Sequence, residues 1–190
     1  MAQLTRRLLL RLCASGVYVQ GLGQFAGGPP PCDPTKKPTP KAPQGPEYRP
    51  GSPERASLIE AGVAGTKIVV SGTVSGVTCG LIKRALIEFW QADARGLYDK
   101  AGHKLRGRQY SDANGAFRLD TIVAGASGKR APRLHVRVTP PGKSTFVTQL
   151  FFPDQPLNTM DPEFNAELLM QATAAPGGVK AATFDILLDV

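Results

Sequence analysis

Residues 84–151 hold four apolar runs of six or seven residues, 85–90, Ala116–Ile122, 133–138 and Phe146–Phe151, with Gly, Pro, Asn and Asp clustered between them. Runs this short at this spacing predict strands rather than helices, and strands that alternate with turn signals predict an antiparallel β-sandwich. An earlier strand is expected from Lys67, where Ile68, Val70 and Val74 alternate, and a closing strand over residues 182–189. Over 85–91 neither face is purely apolar, with Glu88 between Leu86 and Trp90 on one and Gln91 beyond Ile87 and Phe89 on the other, which predicts a central strand covered on both sides, with Trp90 in the core. Asn114-Gly115 is a tight-turn signal between two strand-like runs and reads as a hairpin. Its resemblance to a calcium loop fails because the later acidic ligand is missing. Asp161-Pro162-Glu163 reads as the N-cap, proline and acidic first turn of one short helix reaching Met170.

The residues that precede the sandwich look like delivery and tether. Residues 29–53 hold ten of the 17 prolines and little that is apolar, so they are expected to run extended as a tether or a wrapping arm. The formal charge of +8 suggests a nucleic-acid binder until it is divided: residues 1–56 carry 8 Lys/Arg against 3 Asp/Glu, and residues 57–190 carry 15 against 12. Basic residues scattered among acidic ones, with no nucleic-acid-binding motif, describe a solvated surface, and no nucleic-acid partner is expected. Arg6-Arg7 ahead of Leu8-Leu9-Leu10 resembles a twin-arginine export signal, against the alternatives of another amphipathic leader or a disordered basic terminus. On the export reading the protein is periplasmic or extracellular. No apolar stretch reaches the ~18 residues a membrane span needs. The expected organisation is an export signal over 1–28, a Pro-rich tether over 29–56 and a sandwich domain over 57–190. After removal of a leader, Cys32 and Cys79 either pair or remain free thiols. Nothing in the sequence fixes an oligomeric state.

Four blocks in order, WQADARGLYD, LRGRQYSDANGAFRLDTI, KRAPRLHVRV and TQLFFPDQPLN, resemble the core of the intradiol ring-cleavage dioxygenases, from about Gly65 onward. These are non-haem iron(III) enzymes that open catechol-type rings between the two hydroxyls with O2. The resemblance implies a β-sandwich of that type, a catechol-type aromatic and O2 as substrates, and an iron(III) site of two tyrosinates and two histidines. It places the first tyrosinate on Tyr98 and the second histidine on His135. Arg130 and Gln149 fall on polar residues that flank the family's site and orient substrate. The segment before the family's sandwich often lies against the domain, which makes Tyr48 a packing residue.

Two ligand positions are substituted. The second tyrosine falls on Ser127 and the first histidine on Arg133. Two unit charges ~4 Å apart repel by about 4 kcal/mol at an effective dielectric of ~20, so a guanidinium opposes iron(III) wherever the two share a cavity. Residues two apart on a strand share a face, so Arg133 is expected to point where His135 points. His103 and Tyr110 are the nearby residues of ligand type, and a rearranged set of Tyr98, His103, Tyr110 and His135 is the one alternative shell the sequence offers. The expected activity is oxidative ring cleavage. The alternative is a non-catalytic domain of the family that binds a phenol or another partner.

Overall fold

A computed structural model describes residues 35–78, 80–174 and 179–190. The expected leader, Cys32 and Cys79 lie outside them. The described chain forms nine strands: β1 (Lys67–Gly76), β2 (Leu86–Gln91), β3 (Arg106–Tyr110), β4 (Ala116–Ile122), β5 (Arg133–Thr139), β6 (Phe146–Phe151), β7 (Gln171–Ala174), β8 (Lys180–Thr183) and β9 (Ile186–Leu188). One sheet runs β4-β1-β8-β7 with β9 also on β1, and the other runs β3-β2-β5-β6. The four runs of residues 84–151 all become strands, and the sandwich is the expected one. Its inter-sheet core takes Ile68, Val70 and Val74 from β1, Ile87 and Phe89 from β2, and Leu134, Val136 and Val138 from β5.

Several details differ from the sequence reading, each for a local reason. The closing strand over 182–189 is two strands, both parallel to β1: β8 pairs with Ile68–Ser71 and β9 with Val74–Gly76. Between them the backbone of Phe184 bears on Gly72, where a Cβ would stand 1.9 Å from the Phe184 carbonyl, and the Asp185 carboxylate accepts from Thr73 N and Oγ1 at 2.8 Å. A single ladder cannot cross that contact. The Asn114-Gly115 turn exists, with Gly115 at φ 68° and its N–H on Asp112 O, but β3 pairs with β2 and β4 with β1. It therefore carries the chain from one sheet to the other and closes no hairpin. The helix expected from Asp161 to Met170 is absent. Two 3-10 turns stand in this region, Pro156–Thr159 and Ala166–Leu168, and Asp161 lies between them, its carboxylate drawn into contacts that a helix would not allow. β3, RGRQY, carries no apolar periodicity and is an edge strand, so its pattern was invisible to a hydrophobic reading.

The Pro-rich segment wraps. Ala42 N donates to Val147 O on β6, residues 53–55 bond Arg108 on β3, and Ala56 O accepts from Asp120 N on β4. The arm thus covers three strand edges that would otherwise present unpaired backbone groups. It also makes the outer face of the second sheet a buried surface, and the site forms there. Trp90 is 2% exposed, yet it belongs to this outer face under the arm and not to the inter-sheet core.

Candidate active site

Because side chains alternate along a strand, the outward positions of the second sheet form rows across it. The register gives one such row directly: Arg106 on β3 faces Trp90 on β2, which faces His135 on β5, which faces Gln149 on β6. All four are buried. The Trp90 and His135 rings stack with centroids 5.0 Å apart and planes 6° from parallel. Tyr48, from the arm, sets its edge on Trp90 and donates its hydroxyl to Glu88, the packing role expected of it.

Tyr98 comes to this row from the loop after β2. The loop turns sharply because the Asp93 carboxylate accepts from Arg95 N and Leu97 N, and Gly96 supplies φ 81°. A Cβ on Gly96 would stand 1.8 Å from Ala126 O and 3.2 Å from Ser127 Cα, so the loop lies directly on the segment that carries Ser127. Tyr98 Oη and His135 Nε2 meet at 2.9 Å. Burial raises the Tyr98 pKa despite the Arg133 guanidinium, which pulls it down, so the phenol stays protonated. His135 stays neutral. Its pKa falls from 6.5 to about 3 through burial first, then through Arg133, Arg106 and Arg130. In either tautomer its Nδ1 is buried without a partner.

Arg133 sits one row along from His135 on the same face, as the spacing required, and is 7% exposed. Its charge is met by Asp161, whose side chain is fully buried. That carboxylate accepts from Ala131 N at 2.7 Å, Arg130 Nε at 3.0 Å, Glu163 N at 2.9 Å and Arg133 Nη1 at 3.4 Å. Arg130 also pairs with Glu163. The sequence reading took Asp161 for a helix cap. With Arg133 lying 28 positions away, only the local bond to Glu163 N was foreseeable. Arg106 was also missed as a site residue. It is 1% exposed, with Nη1 on Glu47 O and Nη2 on Asp99 O. A cleft of about 290 Å³, bounded by Glu47, Tyr48, Asp99, Lys100 and Arg106, opens at this end of the row.

The structure unites Tyr98, His135, Arg133 and Gln149 and places Ser127 and Arg130 beside them. It separates the alternative shell. Tyr110 pairs with Leu86, four residues along β2 from Trp90 and so about 13 Å away, where it is exposed under Arg84. His103 is exposed on the loop before β3. Among the described residues no three of His, Cys, Asp and Glu cluster as metal ligands.

Tyr98 Oη and His135 Nε2 do have the separation of neighbouring ligands, since two donors ~2.1 Å from an octahedral ion stand about 3 Å apart. The rest of the four-ligand iron(III) shell does not fit. By the family resemblance its other two positions fall on Ser127 and Arg133, neither of them a tyrosine or a histidine, and three guanidiniums act on His135.

The His135 environment sets an acid limit on folding. An unfolded histidine titrates near 6.5 and the folded one near 3, so below about 6.5 the unfolded state binds more protons, and stability present above that pH is lost as pH falls. Between pH 7.5 and 4.5 the wild type is expected to lose about 2–3 kcal/mol more than His135→Gln, read as the difference in urea midpoints. Equal losses would mean that His135 is not held neutral.

A family model described as dioxygenase matches residues 44–190. The hydroxyquinol 1,2-dioxygenase of Nocardioides simplex is 31% identical over 150 residues, covering 65% of this chain and 50% of that protein. The protocatechuate 3,4-dioxygenase beta chain of Burkholderia cepacia is 33% identical over 120 residues, 53% of this chain and 50% of that protein. The chain thus spans about half the length of these curated relatives. Among solved structures, the dioxygenase domain of a dioxygenase–carbohydrate-binding fusion from Streptomyces sp. SirexAA-E superposes with a TM-score of 0.77 at 42% identity, covering 81% of this chain and 99% of that domain. The 3-chlorocatechol 1,2-dioxygenase of Rhodococcus opacus 1CP shares the fold, with a TM-score of 0.72 at 24% identity. With the sandwich, the ordered blocks and the match over residues 44–190 in agreement, the chain belongs to the intradiol ring-cleavage dioxygenase family.

Proposed function

We propose that this chain takes a catechol-type aromatic at the Tyr98–His135 pair and opens its ring with O2, a function of intradiol dioxygenase type. The observation that carries the reading is the meeting of Tyr98 Oη and His135 Nε2 at 2.9 Å, at the two positions where the family's ligand residues are retained. The relatives' activities support it: hydroxyquinol and protocatechuate, on which their names say they act, are catechol-type rings. In the family, iron(III) supplies the redox chemistry. Here the chain's own residues present a protonated phenol and a neutral imidazole to the ring hydroxyls, with Trp90 stacked behind the imidazole to fix its plane. Arg130, fixed by Asp161, and Gln149, opposite His135, flank the place a ring would occupy and orient it.

A second reading has one observation behind it, the Arg133 guanidinium where the family keeps a histidine. On that reading the same surface binds a phenol or another partner without turnover. Oxygen uptake and ring-opened product, assayed with hydroxyquinol, catechol and 3,4-dihydroxybenzoate on iron-supplemented protein, separate the two. Turnover establishes the first reading; binding without turnover establishes the second.

Tyr98→Phe is the accompanying variant. It removes the hydroxyl and keeps the ring, so stability is expected to fall by only about 1 kcal/mol, one hydrogen bond. Oxygen uptake should fall by 10-fold or more if the phenol touches substrate. A melting temperature lowered by more than 10 °C with unchanged uptake would make Tyr98 a packing residue.

We propose further that the protein is exported and acts in the periplasm or outside the cell, in aromatic catabolism. The Arg6-Arg7 pair ahead of an apolar run supports this reading. Arg6→Lys with Arg7→Lys is expected to hold the protein in the cytoplasm, and unaltered fractionation would remove the idea.

A further inference from the structure

The charges around the Tyr98–His135 pair favour an anion over a cation. The charges that act on His135 are three guanidiniums, those of Arg133, Arg106 and Arg130, while the carboxylates near them, Asp161, Glu163, Glu47 and Asp99, act on the arginines. The Asp161 carboxylate is divided among four donors, and its contact with Arg133 is the longest of them at 3.4 Å. Arg106 has only backbone carbonyls as acceptors, and its Nε is buried without a partner. Positive charge therefore faces His135 in a surface from which water is largely removed. His135 Nδ1 is a further buried atom with no partner. At Ser127, whose backbone lies against the Tyr98 loop, no phenol fills the position that the family gives to a second tyrosine. The chain lacks an anionic ligand and has gained a fixed cation in its place.

We propose that Arg133 does here the electrostatic work of the metal: the site binds an ionised hydroxyl of a catechol-type ring between the Arg133 guanidinium and the Tyr98 hydroxyl, and does so without a metal ion. The ligand class rests on the proposed function; the means of holding it does not. A planar guanidinium already fixed on a carboxylate is preorganised to bond an oxyanion, and a charge-assisted bond of this kind is stronger than a neutral one. Iron(III) would bring its charge up against the Arg133 guanidinium, the foremost charge acting on both Tyr98 and His135.

The probe is 4-nitrocatechol, whose visible absorption reports ionisation of its hydroxyl. The full-length protein is titrated with it in EDTA and, separately, after loading with iron(III). Saturable binding in EDTA, with the spectrum of the ionised catechol, is the expected result. Arg133→Met is expected to weaken that binding about 10- to 100-fold, the range for one hydrogen bond to a charged group, and Arg133→Lys, which keeps the charge, to weaken it less. The wild-type measurement needs no variant and stands even where Arg133→Met folds poorly. Binding only in the presence of iron(III) would overturn the proposal and leave the catechol reading intact, as would equal affinity in the Met variant. Binding in neither condition would remove the proposal together with the reading on which it rests.

Discussion

Asp161→Ala is expected to destabilise the domain by about 3–5 kcal/mol, the cost of breaking a buried ion pair by removing one partner. The side chain is fully buried and bonds both Arg130 and Arg133. Its removal leaves Arg133, itself 7% exposed, with Glu163 at 3.8 Å as its remaining counter-ion. It also unpairs the backbone N–H groups of Ala131 and Glu163, which join β5 to the loop after β6. Guanidinium or urea unfolding gives the number. Combining the change with Arg133→Met should recover part of the loss, because the uncompensated charge goes with the arginine. A loss below about 1 kcal/mol, or no recovery in the double variant, would mean that water reaches Arg133 and that the pair is not the closed structure described.

The strands of residues 84–151 were legible because each carries a short apolar run bounded by turn residues, although for β2, with neither face clean, the pattern did not say that Ile87 and Phe89 rather than Trp90 face the other sheet. What the pattern could not carry was pairing. Whether β8 and β9 are one strand is decided by Phe184 pressing on Gly72, a contact between residues 112 apart. Whether Asn114-Gly115 closes a hairpin or crosses between sheets is decided by which partner each flanking strand finds, and the turn itself is the same in both cases. The Pro-rich arm shows a third limit. Composition gives its extended form, but the edges it covers are set by single hydrogen bonds such as Ala42 N to Val147 O.

The site divides in the same way. The common face of Arg133 and His135 follows from strand geometry alone, and the block order put Tyr98 near them. The row from Arg106 through Trp90 and His135 to Gln149 needs the register of three ladders, which no local pattern contains. Asp161 was misassigned because an Asp before Pro and Glu looks the same whether its carboxylate caps a helix or neutralises two distant arginines. The second role leaves no mark in its own neighbourhood. The rearranged shell of Tyr98, His103, Tyr110 and His135 failed for a related reason: residue type and nearness in sequence say nothing about the end of β2 on which Tyr110 lies.

Arg133→His together with Ser127→Tyr is expected to produce the largest gain of any change at the site. It removes a guanidinium that opposes iron(III) by about 4 kcal/mol per unit charge at ~4 Å, and supplies the two donors that the family's shell has and this chain lacks. Iron affinity should rise on the order of 1000-fold, with a visible tyrosinate-to-iron(III) absorption that the wild type lacks or shows only weakly. Each single change should do less than the pair, since Arg133→His alone leaves three donors and Ser127→Tyr alone keeps the cation. The position of Ser127 favours the design, because its backbone already lies on Gly96, two residues from Tyr98. Asp161 would retain Arg130 as its partner, so folding should survive the loss of Arg133. Iron content by elemental analysis and the absorption spectrum decide the outcome without reference to turnover. A double variant that folds with wild-type melting behaviour and takes up no more iron would show that Ser127 or Arg133 does not occupy a ligand position, and the assignment of the site from the family's blocks would fall with it.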